Sequence, residues 1–439
     1  MSVREIFTAI SNASAGLIDP GEQLLLWFEA ESSDFVRFNA NRVRQAGHVR
    51  QARATLTLVR DHRQAGASLD LSGTLDRDRP RLASVLARLR DQLGLLPADP
   101  FLHFSTRPVN TERIDAASLP DVHQAAACIH RAFRGTDLTG IWAAGETCAG
   151  FANSLGQRNW HSVSTFNFDW SIHRGGQGVK RRIAGQAFDA DALAVQAEEA
   201  RESLALLSRS PRRLPPGSFR AYLAPEAVAE ILHLVSWEGF GMQSHRTRST
   251  PFSRMVTEDR RLDERVSLSE DNAAGLAPGF TAEGFIKPDR VALIEKGGYA
   301  DCLVGARSGR EFQVPVNAAA ESPRSLRMAP GRLPAADVLS ALDTGIYISN
   351  LWYCNFSDRN DCRITGMTRF ACHWVKNGVI RAPIAPMRFD DSLYRLLGDR
   401  LAALTAESTL VLDADTYGQR STASMQVPGV LVDAITLTL

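Results

Sequence analysis

Apolar positions recur along this chain in two rhythms, one near every second residue and one at three and four. Phe35 to Arg44 alternates apolar with polar, and Arg53 to Val59 alternates again. Both predict half-buried strands, and Gly47 and His48 between them predict the connecting turn. Leu82, Val85, Leu86, Leu89 and Leu93 carry the helical rhythm, with entry predicted after Pro80. Val122, Ala126, Ile129 and Phe133 mark a second helix, with Pro120 near its start and Gly135 past its end. From Leu138 to Phe188 the signal changes to strands. Ser154 to Gln157 and Arg174 to Gly178 read as hairpin turns of an antiparallel meander. Asp189 then caps a long helix that runs to about Leu207.

Ser210-Pro211-Arg212-Arg213-Leu214-Pro215-Pro216-Gly217 interrupts both rhythms. Adjacent prolines are stiff and join neither a helix nor a sheet ladder, so this is the predicted linker. It divides the chain into residues 1–208, a linker at 209–218, and residues 219–439. The second part opens with a strand at Tyr222 and a helix entered at Pro225, then becomes largely β. Val291 to Glu295, followed by Lys296-Gly297-Gly298, is a strand and turn. Thr365 to Arg369 is read as a turn leading into an alternating strand. Asn377-Gly378, before Val379 to Ile384, is a strong hairpin signal. A short helix is expected to open at Asp390-Asp391-Ser392, and Val427 to Leu439 is expected to be a closing strand. The predicted class is α+β, with an N-terminal α/β domain containing the meander and a largely β C-terminal domain.

Composition narrows the function classes. The 439 residues carry 50 basic and 49 acidic side chains, a formal net charge of +1. No bulk charge draws the chain to nucleic acid or to a membrane, and neither is an expected partner. The N-terminus lacks a charged-then-apolar signal pattern and no apolar run reaches membrane-spanning length, so a cytoplasmic location is expected. Six cysteines are too sparse for a disulfide framework. Cys354, Cys362, Cys372 and His373 lack the spacing of a zinc knuckle. Arg174 to Gly178 lacks the Gly-Lys-Ser/Thr that would make it a phosphate loop. The aromatic run from Asn159 to His173 has few interleaved basic residues and reads as a packed sheet face rather than a base-stacking platform. Cys372 and Ser236 have neither an elbow motif nor an orienting base, so no catalytic residue is assigned.

The Pro225 helix carries the most specific pattern. Val228, Ile231, Leu232 and Val235 form one apolar stripe. Glu226, Glu230, His233 and Trp237 fall on the opposite face. That face is either solvated, with a Glu–His pair three apart, or the lining of a chamber shared with a partner. Leu351, Trp352, Tyr353 and Phe356 form an aromatic-rich cluster that either anchors an interface or fills the chain's own core.

The stretch from Thr344 to Leu397 and the segment Ala221 to Met242 together resemble the TldD/PmbA family of two-subunit metalloproteases, whose halves are called TldD and TldE. In the TldD half, a helical His-Glu-x-x-x-His motif supplies two zinc ligands and a general base. Here the resembling segment is His233-Leu234-Val235-Ser236-Trp237. Leu234 stands at the Glu position and Trp237 at the second His. Tyr417-Gly418 is the nearest match to the Cys-Gly that gives the third ligand. Leucine cannot move a proton and indole offers a metal no lone pair. The resemblance therefore implies a metal-free, TldE-like subunit with no cofactor of its own. It would pair with a zinc-bearing TldD-like chain and act on extended, unfolded or modified peptides. A stand-alone homodimeric hydrolase and a peptide-binding scaffold remain as alternatives.

Overall fold

The computed structural model describes residues 1–438 and has an α+β architecture, with helices and antiparallel strands in the N-terminal domain and a largely β C-terminal domain. The N-terminal elements are α1 (Val3–Ala15), β1 (Gln23–Asn39), β2 (Arg42–Arg60), β3 (Arg63–Asp70), α2 (Leu75–Leu93), β4 (Thr111–Asp115), α3 (Val122–Ala132), β5 (Asp137–Asn153), β6 (Arg158–Arg174), β7 (Gln177–Gly185) and α4 (Ala190–Leu207). Their strands form one seven-stranded sheet in the order β3-β2-β1-β5-β6-β4, with β7 beside β4 on the far edge of β6. Only the β4–β6 pair is parallel.

Strand side chains alternate between two faces, and here each face has its own task. Even positions such as Leu26, Phe28, Leu56, Phe166, Phe168 and Trp170 lie under the four helices. The helices return matching stripes, for example Leu82, Val85, Leu86 and Leu89 of α2. The aromatic run of β6 is thus a packed face: Trp160, Phe166, Phe168 and Trp170 are buried. Odd positions turn to the C-terminal domain. Leu25, Ala149 and Phe151 meet Phe280, and Val163 meets Leu276 and Leu412.

Four local expectations need correction. Gly47 and His48 lie inside β2, and the turn is Ala40-Asn41, both with positive φ. Asn41 holds that turn because its buried amide donates to the carbonyls of His130 and Phe133. Helix α2 starts five residues before Pro80, at Leu75. Its Asp78 carboxylate accepts from the Ser72 and Gly73 amides, which anchors the first turn. Thr365 to Arg369 belongs to a strand, Arg363–Arg369, and the chain turns at Phe370. Asp390-Asp391-Ser392 ends another strand, Arg388–Ser392. There the acids serve as acceptors: Asp390 for Arg363, and Asp391 for Arg400 and the Thr436 amide.

The C-terminal domain is built on a 13-stranded sheet. Its centre is β8 (Gly217–Leu223), antiparallel to Ser424–Leu437 on one side and parallel to Gly345–Ile348 on the other. Asn377 and Gly378 have φ of 53° and 70°, which is the twist a tight hairpin requires. Helix α5 (Pro225–Ser236) follows β8 and covers the sheet.

Two buried histidines set the pH range of this fold. His161 donates through Nε2 to the Leu276 carbonyl at 3.0 Å, and Arg113, Asp115 and Lys287 surround it. His373 meets Ser203 at 3.3 Å. Burial pushes each pKa from 6.5 down to about 4. The unfolded chain takes up these protons near pH 6.5 and the folded chain refuses them. The contribution of these two histidines to stability is therefore complete above pH 6.5 and drains as pH falls toward 4, by up to about 3 kcal/mol per histidine. Urea melts from pH 7.5 to 4 should show this fall. His161→Gln, which keeps a donor for Leu276, should remove its share. An unchanged slope in that variant would mean that His161 is not the group titrating.

Candidate functional site

Helix α5 starts where Ala224 is extended and Pro225 takes the first helical position, where no amide donor is needed. Val228, Ile231, Leu232 and Val235 are buried in the core. Leu234 packs against that core from its margin. Helical geometry stops at Ser236, and Trp237 is extended with ψ 105°. Trp237 therefore leaves the helical register that would set it above His233. His233 is exposed, and Trp237 is 69% exposed.

Glu226 and Glu230 behave differently, being half-buried. Burial pushes the Glu226 carboxyl above its usual range, against the pull of Arg182 and Lys180, while Asp169 adds to the upward push. Asp169 sits between these cations, 3.3 Å from Lys180 Nζ and 3.3 Å from Arg182 Nη2. Glu226 in the first turn of α5 thus lies near a charged patch on β6 and β7, across the boundary between the domains.

Beside this patch is a cleft of about 390 Å³. Its floor is the odd face of the N-terminal sheet, with Arg37, Ile141, Asn167, Asp169 and Lys180. Phe370, the loop Asp413 to Thr416, and Arg420 complete the wall. Asn167 is buried, and its Oδ1 has no partner among the described residues. Such an acceptor favours an incoming N–H donor, because an unmet buried acceptor is costly.

Arg420 fixes the loop that closes this cleft. It is 4% exposed and reaches into the N-terminal sheet. Its guanidinium donates to the Gly145 carbonyl at 3.1 Å, the Thr165 carbonyl at 3.0 Å and Thr165 Oγ1 at 2.7 Å. Gly145 is required there: φ is 152°, and a Cβ would collide with the Ser32 carbonyl of β1.

The residues expected at a metal site lie on separate elements. His233 is on α5, whereas Tyr417 is 95% exposed on a loop held to β1 and β2 through Gln419–Glu29 and Gln51–Gly418 contacts. Among the described residues, no three His, Cys, Asp or Glu side chains are placed to share a metal. Cys362 and Cys372 are buried, and Cys372 lies against the Arg369 carbonyl. The family's zinc does not fit this helix: a single imidazole, a leucine and an indole supply one ligand and no base.

The second expected cluster divides. Leu351 is in the core, which removes it from the expected interface, because β alternation turns it away from solvent. Trp352 is 50% exposed and Tyr353 76% exposed, at a bulge where Tyr353 takes φ 57°. Arg369 stacks over Trp352 at 4.6 Å, and Arg359 lies over the half-buried Phe356 at 5.1 Å. Arg359 also pairs with Glu238 at 2.8 Å and bonds the Trp237 carbonyl. Arg359 thus links Phe356 of the Trp352 strand to the Trp237-Glu238 end of α5. The charged patch and Arg420 were missed from sequence. The polar odd positions Thr165, Asn167, Asp169 and Ser171 were the available signal.

Residues 216–439 match the family model for the PmbA/TldA metallopeptidase C-terminal domain. The chain belongs to the TldD/PmbA family. Solved structures agree at the level of fold. TldE from Thermococcus kodakarensis has a TM-score of 0.79 at 12% identity, over 99% of this chain and 100% of that one. A protein described as a modulator of DNA gyrase from Bacteroides thetaiotaomicron has a TM-score of 0.75 at 14% identity, over 99% and 98%. One with the same description from Thermotoga maritima has 0.74 at 12%, over 100% of both chains. No curated protein matches the sequence. The helix that follows the first C-terminal strand, Pro225–Ser236, lies within the matched region.

The division of the aromatic cluster is testable. Trp352→Ala should change stability by less than about 1 kcal/mol, because the ring is half in solvent. Leu351→Ala should cost about 2–5 kcal/mol, because it opens a core cavity. Thermal melts of the two variants decide it; equal losses would place Trp352 in the core.

Proposed function

We propose that this protein is a non-catalytic, TldE-like subunit that pairs with a zinc-bearing, TldD-like chain and closes a chamber for extended peptides. The observation that carries the proposal is the residue set on α5, where Leu234 and Trp237 replace a base and a ligand while the helix keeps its full apolar stripe. Structural likeness to a protein named TldE supports it. Zinc would belong to the partner, and none to this chain.

The chain's own contribution would be shape and backbone recognition. The cleft on the odd sheet face offers the unmet Asn167 acceptor and the exposed Ile141 side chain. These suit a peptide amide and an apolar side chain, and require no particular sequence. Trp352, Tyr353 and Trp237 form the exposed aromatic surface, which suits the partner contact.

Two measurements test this. Metal analysis of the purified chain, after dialysis against a weak chelator, should find far less than one zinc per chain; one tightly held zinc would overturn the assignment. Mixing with a zinc-bearing TldD-like subunit should give a co-eluting complex with chelator-sensitive peptidase activity. Trp352→Ala should weaken that co-elution while keeping the native melt. The double variant Leu234→Glu, Trp237→His should remain inactive alone, since tyrosine stands at position 417 where the third ligand would be and two ligands hold zinc poorly. Chelator-sensitive activity in that variant would show that another side chain completes the site.

A further inference from the structure

The first half of β2 is an open sheet edge. β3 pairs with β2 only from Arg53 to Arg60, and the Leu71 amide reaches Ala52. From Arg42 to Gln51 the strand has β1 on one side and, among the described residues, no strand on the other. Every residue in that stretch is exposed. At about 3.4 Å per residue it presents roughly 34 Å of unpaired ladder.

The edge has one sign of charge. Arg42 to Arg53 reads RVRQAGHVRQAR, with four arginines, one histidine and no carboxylate. His48 is paired with Asp34 at 2.9 Å and Arg53 with Asp70 at 2.8 Å. Arg42, Arg44 and Arg50 form no ion pair among the described residues, nor does Arg37 on the adjacent strand. Val43 and Val49 remain exposed between them.

Charged residues often guard an edge against any pairing. A run of one sign does more, because it repels its own sign and attracts the other. A second copy of this chain is thereby disfavoured as occupant. Pairing two such edges would bring six guanidiniums to one ladder, from Arg42, Arg44 and Arg50 of each copy. Single-stranded nucleic acid is also a poor fit, because Arg42 to Arg53 contains no aromatic side chain on which bases could stack.

We propose that Arg42–Gln51 of β2 accepts, by strand addition, an extended acidic segment of a different polypeptide chain. Backbone groups of the open edge form the ladder, and Arg42, Arg44 and Arg50 select alternating Asp or Glu side chains. This goes beyond the subunit assignment and does not need it: the edge would recognise the strand whether or not the donor chain carries zinc.

The test uses the purified full chain and labelled peptides of about ten residues, the length of the open edge. One repeats Thr-Glu-Val-Glu, one repeats Thr-Lys-Val-Lys, and one is the acidic peptide N-methylated throughout. Fluorescence anisotropy at physiological salt should show the acidic peptide binding at least about tenfold tighter than the basic one. N-methylation, which removes every ladder donor, should abolish that binding. Arg44→Glu with Arg50→Glu should invert the preference; the three peptides on the unaltered chain decide the matter if that variant fails to fold. Equal binding of acidic and basic peptides would overturn the proposal. So would full binding of the N-methylated peptide, which would reveal charge adhesion alone. An oligothymidylate that competes as tightly as the acidic peptide would replace the strand with nucleic acid. Self-association mapped to this edge would replace it with a second copy.

Discussion

A buried guanidinium joins the two domains of this chain, and the geometry of the candidate site depends on it. Arg420 reaches into the N-terminal sheet from a C-terminal loop and donates to backbone and side-chain oxygens of β5 and β6. Removing a guanidinium from water is expensive unless its donors are met. Here Thr165 alone supplies two acceptors, and nearby Glu31 favours the charge. The compensation works only if β1, β5 and β6 lie in register beneath the loop. Gly145 makes that register possible, because a side chain there would collide with β1. The sheet, the loop and the cleft between them are therefore set together.

The same boundary gives α5 its two characters. Its first turn carries Glu226 near the charged patch of β6 and β7. Its last residues, His233 and Trp237, reach solvent beside the Trp352 strand. The polar face taken from sequence as one unit is divided by what packs over it. Glu226 is held near Asp169, Lys180 and Arg182, so its protonation answers to the N-terminal domain. His233 is exposed and forms no side-chain hydrogen bond or ion pair among the described residues.

The elements legible in the sequence were those whose signal is local. The apolar stripe of α5, the Asp189 cap and the Asn377-Gly378 turn each depend on residues close in the chain, and the structure places them as read. The Ala40-Asn41 turn was illegible for a physical reason. It has no glycine, and its positive φ is sustained by bonds from Asn41 to His130 and Phe133, nearly ninety residues away. Asp390 and Asp391 misled because acids that open a helix and acids that accept buried bonds look alike in sequence. Trp352 and Leu351 were inseparable as neighbours in a list. Only the pleat decides which of them faces water. The cleft was illegible for the same reason as the Asn41 turn, since contacts such as Arg182 to Leu412 join residues 230 apart in the chain.

The persistence of α5 without a metal-binding set follows from which residues stabilise it. Val228, Ile231, Leu232 and Val235 bury their side chains against the sheet, at roughly 1.5–3 kcal/mol each. None of the metal-site positions belongs to that stripe. His233 and Trp237 are exposed, and Leu234 sits at its margin. Substitution on the outer face therefore leaves the packing of the helix on the sheet in place. Leucine at position 234 adds apolar contact where a glutamate would have needed solvent or a partner. Packing and the positions that resemble a metal site thus occupy different faces of one helix, so the fold of this domain does not depend on what stands at positions 233, 234 and 237.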